Sequence, residues 1–293
     1  MSNFNVPNVN SLTGVFLGCQ IAKRLPVIKD TSKVTAFDSA FNGCYNVEVF
    51  PPVDTRAATN VSYMYNTCYS MIAPPSGLST GNVTNFQGMF NNCVRMVSAP
   101  VLNTSKATDM SFMFAGCAAL KTIPQYNYSL VTTLSQFGRY SGIQWAPTFN
   151  TGTALTNTAN MWEFNPKLLD APLITNMTNV TTIANMFNGC EAIRTIPGIT
   201  FANHTTTTTP FGTYNASSLN HLKNLASIDA KGISFSIDLR NAVMGATALN
   251  TLYTNLATVG VSGAGARTLQ VSGNWGYTAS DRMTAISKGW AVS

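Results

Sequence analysis

Apolar residues in this chain do not form long helical stripes. They return in short clusters at a fixed distance. A large aromatic stands at Phe16, Phe41, Tyr65, Phe90, Phe114, Phe137, Trp162, Phe187 and Phe211. Three positions after most of these comes a small marker residue, which is cysteine at 19, 44, 68, 93, 117 and 190. The cysteine spacings are 25, 24, 25, 24 and 73, and steps of 23 to 25 through the long gap land on Tyr140 and Asn165, then beyond Cys190 on Tyr214. Seven residues after each of the first eight markers stands a proline, from Pro26 to Pro197. Another apolar residue follows the marker by three, as at Val47, Met71, Met96, Leu120 and Ile193. A period of this length marks a repeat protein.

Nine units run from about Leu12 to about Ile228, and the ninth carries His221 where proline is expected. Two dozen residues cannot bury a core alone, so each unit has to stack its apolar set against its neighbours. Apolar steps of two and three positions predict a short extended segment joined by turns. Neighbouring parallel strands lie about 4.8 Å apart, so nine coils predict a rod roughly 40 Å long. A column of prolines cannot sit on a hydrogen-bonded rung and predicts the corner where each strand ends. Replacement of the marker by Tyr140, Asn165 and Tyr214 predicts local bulges or wider coils over residues 137–166.

The aromatic-x-x-Cys-x-x-apolar-x-x-apolar-Pro runs, with Val34-Thr35 and Val83-Thr84, resemble the leucine-rich repeats of the BspA-like surface-protein family. The resemblance covers about three quarters of the chain. It implies an α/β repeat fold: a right-handed, leucine-rich-repeat-like solenoid of about nine 24–25-residue coils with short parallel strands. Such repeats occur in bacterial surface proteins and in bacteriophage virions, so the resemblance implies a setting more weakly than a fold.

After about Lys231 the period ends. Leu239, Val243, Leu249, Leu252, Tyr253 and Leu256 predict an amphipathic helix or two short ones, and Thr268–Val271 a strand. Thr278-x-x-Asp281 has the outline of a helix cap, Gly289 that of a stop, and Trp290–Val292 reads as a final strand. The expected organisation is an N-terminal cap or docking arm (1–11), a solenoid (12–230) and a C-terminal α/β capping module (231–293). The closing SDRMTAISKGWAV resembles an end-module that follows such repeats in phage and gut-bacterial proteins.

Composition narrows the function. Only 10% of residues are charged, with 17 basic and 11 acidic side chains giving a formal +6. That charge is too dilute and unclustered for nucleic-acid binding. No apolar run reaches the ~18 residues of a membrane span. The opening MSNFNVPNVNSL lacks the basic and apolar stretches of a secretory signal, which sets the expectation of a virion protein released by lysis above that of a secreted one. The cysteines predict a ladder of buried thiols acting as small hydrophobes, with a disulfide between neighbouring coils or a metal site as alternatives. Metal-type C-x-x-C spacing is absent.

Glu48, Glu163, Glu191, His204 and His221 are isolated, and Val261–Arg267 lacks a phosphate-binding fingerprint, so the expectation is a non-enzyme without cofactor or metal. Residues four and five after each marker form a readable column: Val49, Ile72, Val97, Trp145 and Leu169 make it apolar. This column is either a docking face or further core. Together with Tyr140 and the threonine-rich 202–210 segment it suggests contacts to a host surface glycan or protein. The expected role is a bacteriophage tail-associated adhesin. Alternatives are a capsid or tail decoration protein that binds other virion proteins, and a bacterial cell-surface adhesin; a homo-oligomer is compatible with each.

Overall fold

The computed structural model describes residues 3–201, 211, 222–259 and 267–293. The ninth unit's Tyr214 and His221, the 202–210 segment with His204, and most of the 261–267 glycine-rich piece lie outside the described residues.

The repeat is built around two left-handed residues per unit. The residue just before the marker has a φ of 54° to 77° at Gly18, Gly43, Thr67, Asn92, Gly116, Tyr140, Phe164 and Gly189. The residue four positions earlier is left-handed as well, at Gly14, Ser39, Tyr63, Gly88, Phe112, Gln136, Asn160 and Asn185. Glycine and asparagine take this conformation cheaply, whereas other residues need their neighbours to hold it. Alternate N–H groups then leave the coil on its downstream side and the matching carbonyls on its upstream side. Leu12, Gly14, Phe16 and Gly18 donate to the carbonyls of Ala36, Asp38, Ala40 and Asn42 at 2.8–3.1 Å. The same four bonds recur at all seven junctions down to Phe164–Asn188, spanning 2.7–3.3 Å.

A second column closes the other side. Thr35, Thr59, Thr84, Thr108, Thr132, Thr156 and Thr181 each donate an N–H, at 2.8–2.9 Å, to a carbonyl one coil upstream. From Thr59 onward that carbonyl is the preceding threonine's, and the hydroxyl donates to it as well, as in Thr132 to Thr108 at 2.9 Å. Parallel bridges link Ser11, Ala36, Asn60, Asn85, Asp109, Thr133, Asn157 and Thr182 in one line. Extended strands stay short for this reason: each coil pairs one or two residues before it turns. β1 (Phe4–Asn5) pairs with β2 (Ile28–Lys29), and β3 (Thr195–Ile196) with β4 (Ser227–Ile228), both parallel. Residues 4 and 5 therefore lie on the first coil as part of a further turn of the stack.

This geometry corrects the register of the sixth unit. Tyr140 is not its marker. It holds the left-handed position and donates to Glu163 O at 3.0 Å, as Gly43 donates to Asn66 O at 2.9 Å. Ser141 is the buried marker, so the markers fall at 117, 141, 165 and 190 with no widening over 137–166. Gly138 then stands at the aromatic position, and the indole of Trp162 from the next coil fills the room it leaves.

The C-terminal residues continue the parallel stacking with longer turns. Thr200 bridges Lys231 and Ile233 bridges Leu256. β5 (Ile237–Asp238), β6 (Arg267–Gln270) and β7 (Trp290–Val292) form one parallel sheet in that order. Helix α1 (Ala246–Asn255) lies between β5 and β6 and buries Leu249, Leu252 and Tyr253. It starts later than the apolar pattern suggests, because Leu239 already pairs with Gln270 O across the sheet. At the start of helix α2 (Met283–Ser287) the Oδ1 of Asp281, the residue before the N-cap Arg282, accepts from the Met283 N–H at 3.1 Å; Thr278 does not cap the helix. Gly289, at φ 88°, ends it.

Inside the stack two columns form the core. Phe16, Phe41, Tyr65, Phe90 and Phe114 stack ring on ring with centroids 5.3–5.8 Å apart. Beside them the thiols of Cys44, Cys68, Cys93, Cys117 and Cys190 donate to the carbonyl of the aromatic one coil upstream, at 3.0–3.3 Å. All six cysteines are free thiols, and only Cys19 is partly exposed. Where cysteine is missing, Asn165 and Ser141 take over. The Asn165 amide oxygen accepts from Ser141 Oγ at 2.9 Å, and its nitrogen donates to the carbonyls of Ser141 and Ile143 at 3.0 and 3.1 Å.

Burial pushes the thiols of Cys44, Cys117 and Cys190 from 9.0 up to about 12. Folding thus favours the neutral thiol. Its contribution is complete below about pH 8.5 and is lost as pH rises toward 12, at about 1.4 kcal/mol per thiol per pH unit. Urea denaturation should show stability level from pH 7 to 8 and falling steeply by pH 10; a level profile to pH 10.5 would contradict the ladder. At pH 8 a thiol reagent should label Cys19 alone in the native protein.

Candidate functional site

The column four and five residues after the marker faces outward. Val49 is 78% exposed, Val97 56% and Trp145 50%, with Ile72 exposed and Leu169 half-buried. The choice between docking face and further core is thus decided for facing: these side chains are not core.

The backbone behind the column changes along the stack. From the fifth coil onward neighbouring arcs are bonded. Gln144 N–H donates to Lys121 O at 2.8 Å, Leu169 N–H to Gln144 O at 3.1 Å and Arg194 N–H to Leu169 O at 2.8 Å. Between residues four to nine after the marker in the first five coils, the one backbone bond runs from Val97 N–H to Ile72 O, at 3.0 Å. The second and third coils carry Pro51-Pro52 and Pro74-Pro75, and a proline pair removes two successive donors. The arcs part, and clefts open between them. One of about 400 Å³ is lined by Lys23, Arg24, Val27, Val49 and Pro51. The next, about 610 Å³, is lined by Val49, Phe50, Pro52, Ile72, Pro74 and Pro75. A third, about 280 Å³, lies against Pro74, Pro75, Leu78, Pro100 and Val101. Shared lining residues join the three into one ribbed trough. The Pro-Pro dipeptides of units two and three were its signal in the sequence.

Polar groups around the trough are few. Glu48 pairs with Arg95 at 3.7 Å, with both side chains exposed, a contact worth little. Lys23 and Arg24 have no acidic partner within ion-pair range among the described residues, which leaves the first-coil end of the trough positive.

Tyr140 sits elsewhere, in the cluster of the sixth and seventh coils. Its ring stacks on Phe164 at 5.0 Å, and the Arg139 guanidinium lies 4.6 Å from its centroid. Arg139 Nε donates to the buried Glu163 carboxylate at 2.6 Å, and Asn188 Nδ2 donates to the other oxygen at 3.3 Å. Two neighbours already use the Tyr140 ring, so it offers a sugar less open face than its exposure suggests. The Arg139–Glu163 pair replaces the asparagines that hold this position in coils two to four, a substitution that the repeat alignment exposes only once Ser141 is the marker.

Glu48, Glu163 and Glu191 lie in different coils, the second, seventh and eighth. Among the described residues no three His, Cys, Asp or Glu side chains lie together as a metal site would need. No described helix is long and apolar enough to cross a membrane.

The family described as "Mycoplasma protein of unknown function, DUF285" matches the chain twice in succession, over residues 1–101 and 100–211. The chain belongs to this family. Each match takes in four markers of this chain, Cys19 to Cys93 and Cys117 to Cys190. No curated protein matches the chain.

Removing one partner of a buried ion pair strands the other. Arg139→Ala should therefore cost about 2–3 kcal/mol in urea denaturation, and Arg139→Met combined with Glu163→Gln should recover most of it. Equal losses in both variants would show that packing rather than charge pairing holds this corner.

Proposed function

We propose that the chain is a non-catalytic binding protein of the adhesin class, a leucine-rich-repeat-type solenoid that docks onto a polypeptide of another surface through its apolar column and trough. The observation that supports this most is the set of exposed apolar side chains four and five residues after the marker, Val49, Ile72, Val97 and Trp145, the first three beside arcs that share a single backbone bond, Val97 N–H to Ile72 O, across the first five coils. Contiguous exposed apolar surface of this kind marks an interaction site. A polypeptide suits it better than a glycan. The trough offers prolines, valines and free backbone groups, whereas sugar recognition rests on open aromatic faces and convergent polar side chains.

Two settings have support. The family's description names Mycoplasma, which favours a bacterial protein, and the resemblance to bacterial surface repeats would then put it on the cell surface. The resemblance to virion repeats favours a bacteriophage tail. A decoration protein would use the same column against other virion proteins, and the half-exposed Trp145 and Leu169 at its far end suit such a flat contact. Immunogold labelling separates them: label on the cell surface or tail tip supports the adhesin, and label over the head supports the decoration protein.

Binding of the fluorescent protein to the labelled surface should fall about 30-fold or more in Val49→Asp with Ile72→Asp, as expected for central interface residues. Stability should change by less than about 0.5 kcal/mol, as is usual for surface substitutions. Trypsin treatment of the target surface should abolish binding and glycosidase treatment should not. The reverse pattern would replace the polypeptide with a glycan.

A further inference from the structure

We propose that the polypeptide held by the trough is an extended acidic segment, which pairs with backbone groups that the first three coils leave open and sets a carboxylate against Lys23 and Arg24. This rests on the reading of the trough as the docking site and names the chemistry of its partner.

Where the arcs are closed, one bond recurs. The residue four positions after the marker donates its N–H to the carbonyl of its counterpart one coil upstream, as Val97 does to Ile72 at 3.0 Å and Arg194 to Leu169 at 2.8 Å. Between the first three coils this bond is missing twice. The N–H groups of Glu48 and Ile72 have no acceptor, and the carbonyls of Lys23 and Glu48 no donor, among the described residues. The first two coils are nevertheless tied on both sides of the gap. Asn46 Nδ2 donates to Gln20 O at 2.7 Å before it, and Asp54 N–H donates to Thr31 Oγ1 at 2.7 Å after it. The opening is thus a window with fixed edges. An extended chain laid along it can supply the donor and the acceptor that these positions lack, as a strand does when it adds to an open edge.

Charge selects the side chains of that strand. The charged residues that line the three clefts are Lys23, Arg24 and Glu48. Glu48 is shared with Arg95 at 3.7 Å, so the margin formed by Lys23 and Arg24 keeps an excess of positive charge. Beyond Pro52 the trough runs into a polar groove of about 690 Å³ that carries Asp30, Asp54 and Arg56. Arg56 is engaged there by both oxygens of Asp54, at 3.0 and 2.6 Å, and the exposed Asp30 repels a further carboxylate. An acidic residue is therefore drawn to the Lys23–Arg24 margin, while Val27, Val49 and Pro52 between the two margins take apolar side chains.

Two synthetic nine-residue peptides test this, one alternating valine with glutamate and one alternating valine with lysine, each followed by fluorescence anisotropy. The glutamate peptide should bind about tenfold or more tightly at low salt, and Lys23→Glu combined with Arg24→Glu should remove that margin. N-methylation of every second residue should weaken the glutamate peptide about tenfold in one of its two registers. Equal binding of the two peptides, or of the glutamate peptide to the native and charge-reversed proteins, overturns the acidic partner. Undiminished binding of both N-methylated forms overturns the backbone pairing, and failure of the glutamate peptide to bind overturns the whole proposal. The trough itself fails on a different result: binding to the target surface that survives Val49→Asp with Ile72→Asp.

Discussion

Each coil is bound to the next by four N–H···O=C bonds that run along the stack, and everything else in the molecule is arranged around them. They require alternate peptide groups to point the same way. That in turn requires a left-handed residue before every marker and another four positions earlier. The aromatic and thiol columns are then held at the coil spacing, which is why rings stack and each thiol finds a carbonyl one coil away. The threonine column closes the opposite side with a backbone and a hydroxyl bond per coil. A surface that spends its polar groups on neighbours one coil away has little use for charge, and the chain's composition reflects this.

Much of this was readable from the sequence, because a repeated environment repeats its residues. The aromatic, the cysteine and the following apolar residue all fall on buried positions, and the prolines fall outside both bonded columns. The sixth unit was misread for a physical reason. Tyr140 looks like a bulky stand-in for cysteine, but it stands where other coils keep Gly43 or Gly116, and only the backbone conformation at that site separates it from Ser141. Strand lengths were illegible too: nothing in the residues says that a coil pairs one or two positions and then turns. The start of α1 was set by the pairing of Leu239 with the sheet, a tertiary contact that overrides the apolar period.

The candidate trough shows how a repeat acquires a site without breaking its frame. The upstream coils keep the four axial bonds, the rings and the thiols, and differ in the arc after the marker, where paired prolines part the backbone. In the downstream coils the same arc is closed, and novelty appears as the Arg139–Glu163 and Tyr140–Phe164 pairs. Outward positions carry the variation while inward positions carry the stack.

The direction of the axial bonds also sets how the molecule answers force. With the first coil at one end and the C-terminal sheet at the other, tension between the ends loads one junction at a time, peeling it rather than sliding it. Each coil that yields would release roughly 80 Å of chain, since extended residues span about 3.4 Å apiece. Pulled from its ends, the molecule would lengthen in small equal steps and absorb work as it did so. Pushed from the side, it would meet all seven junctions together.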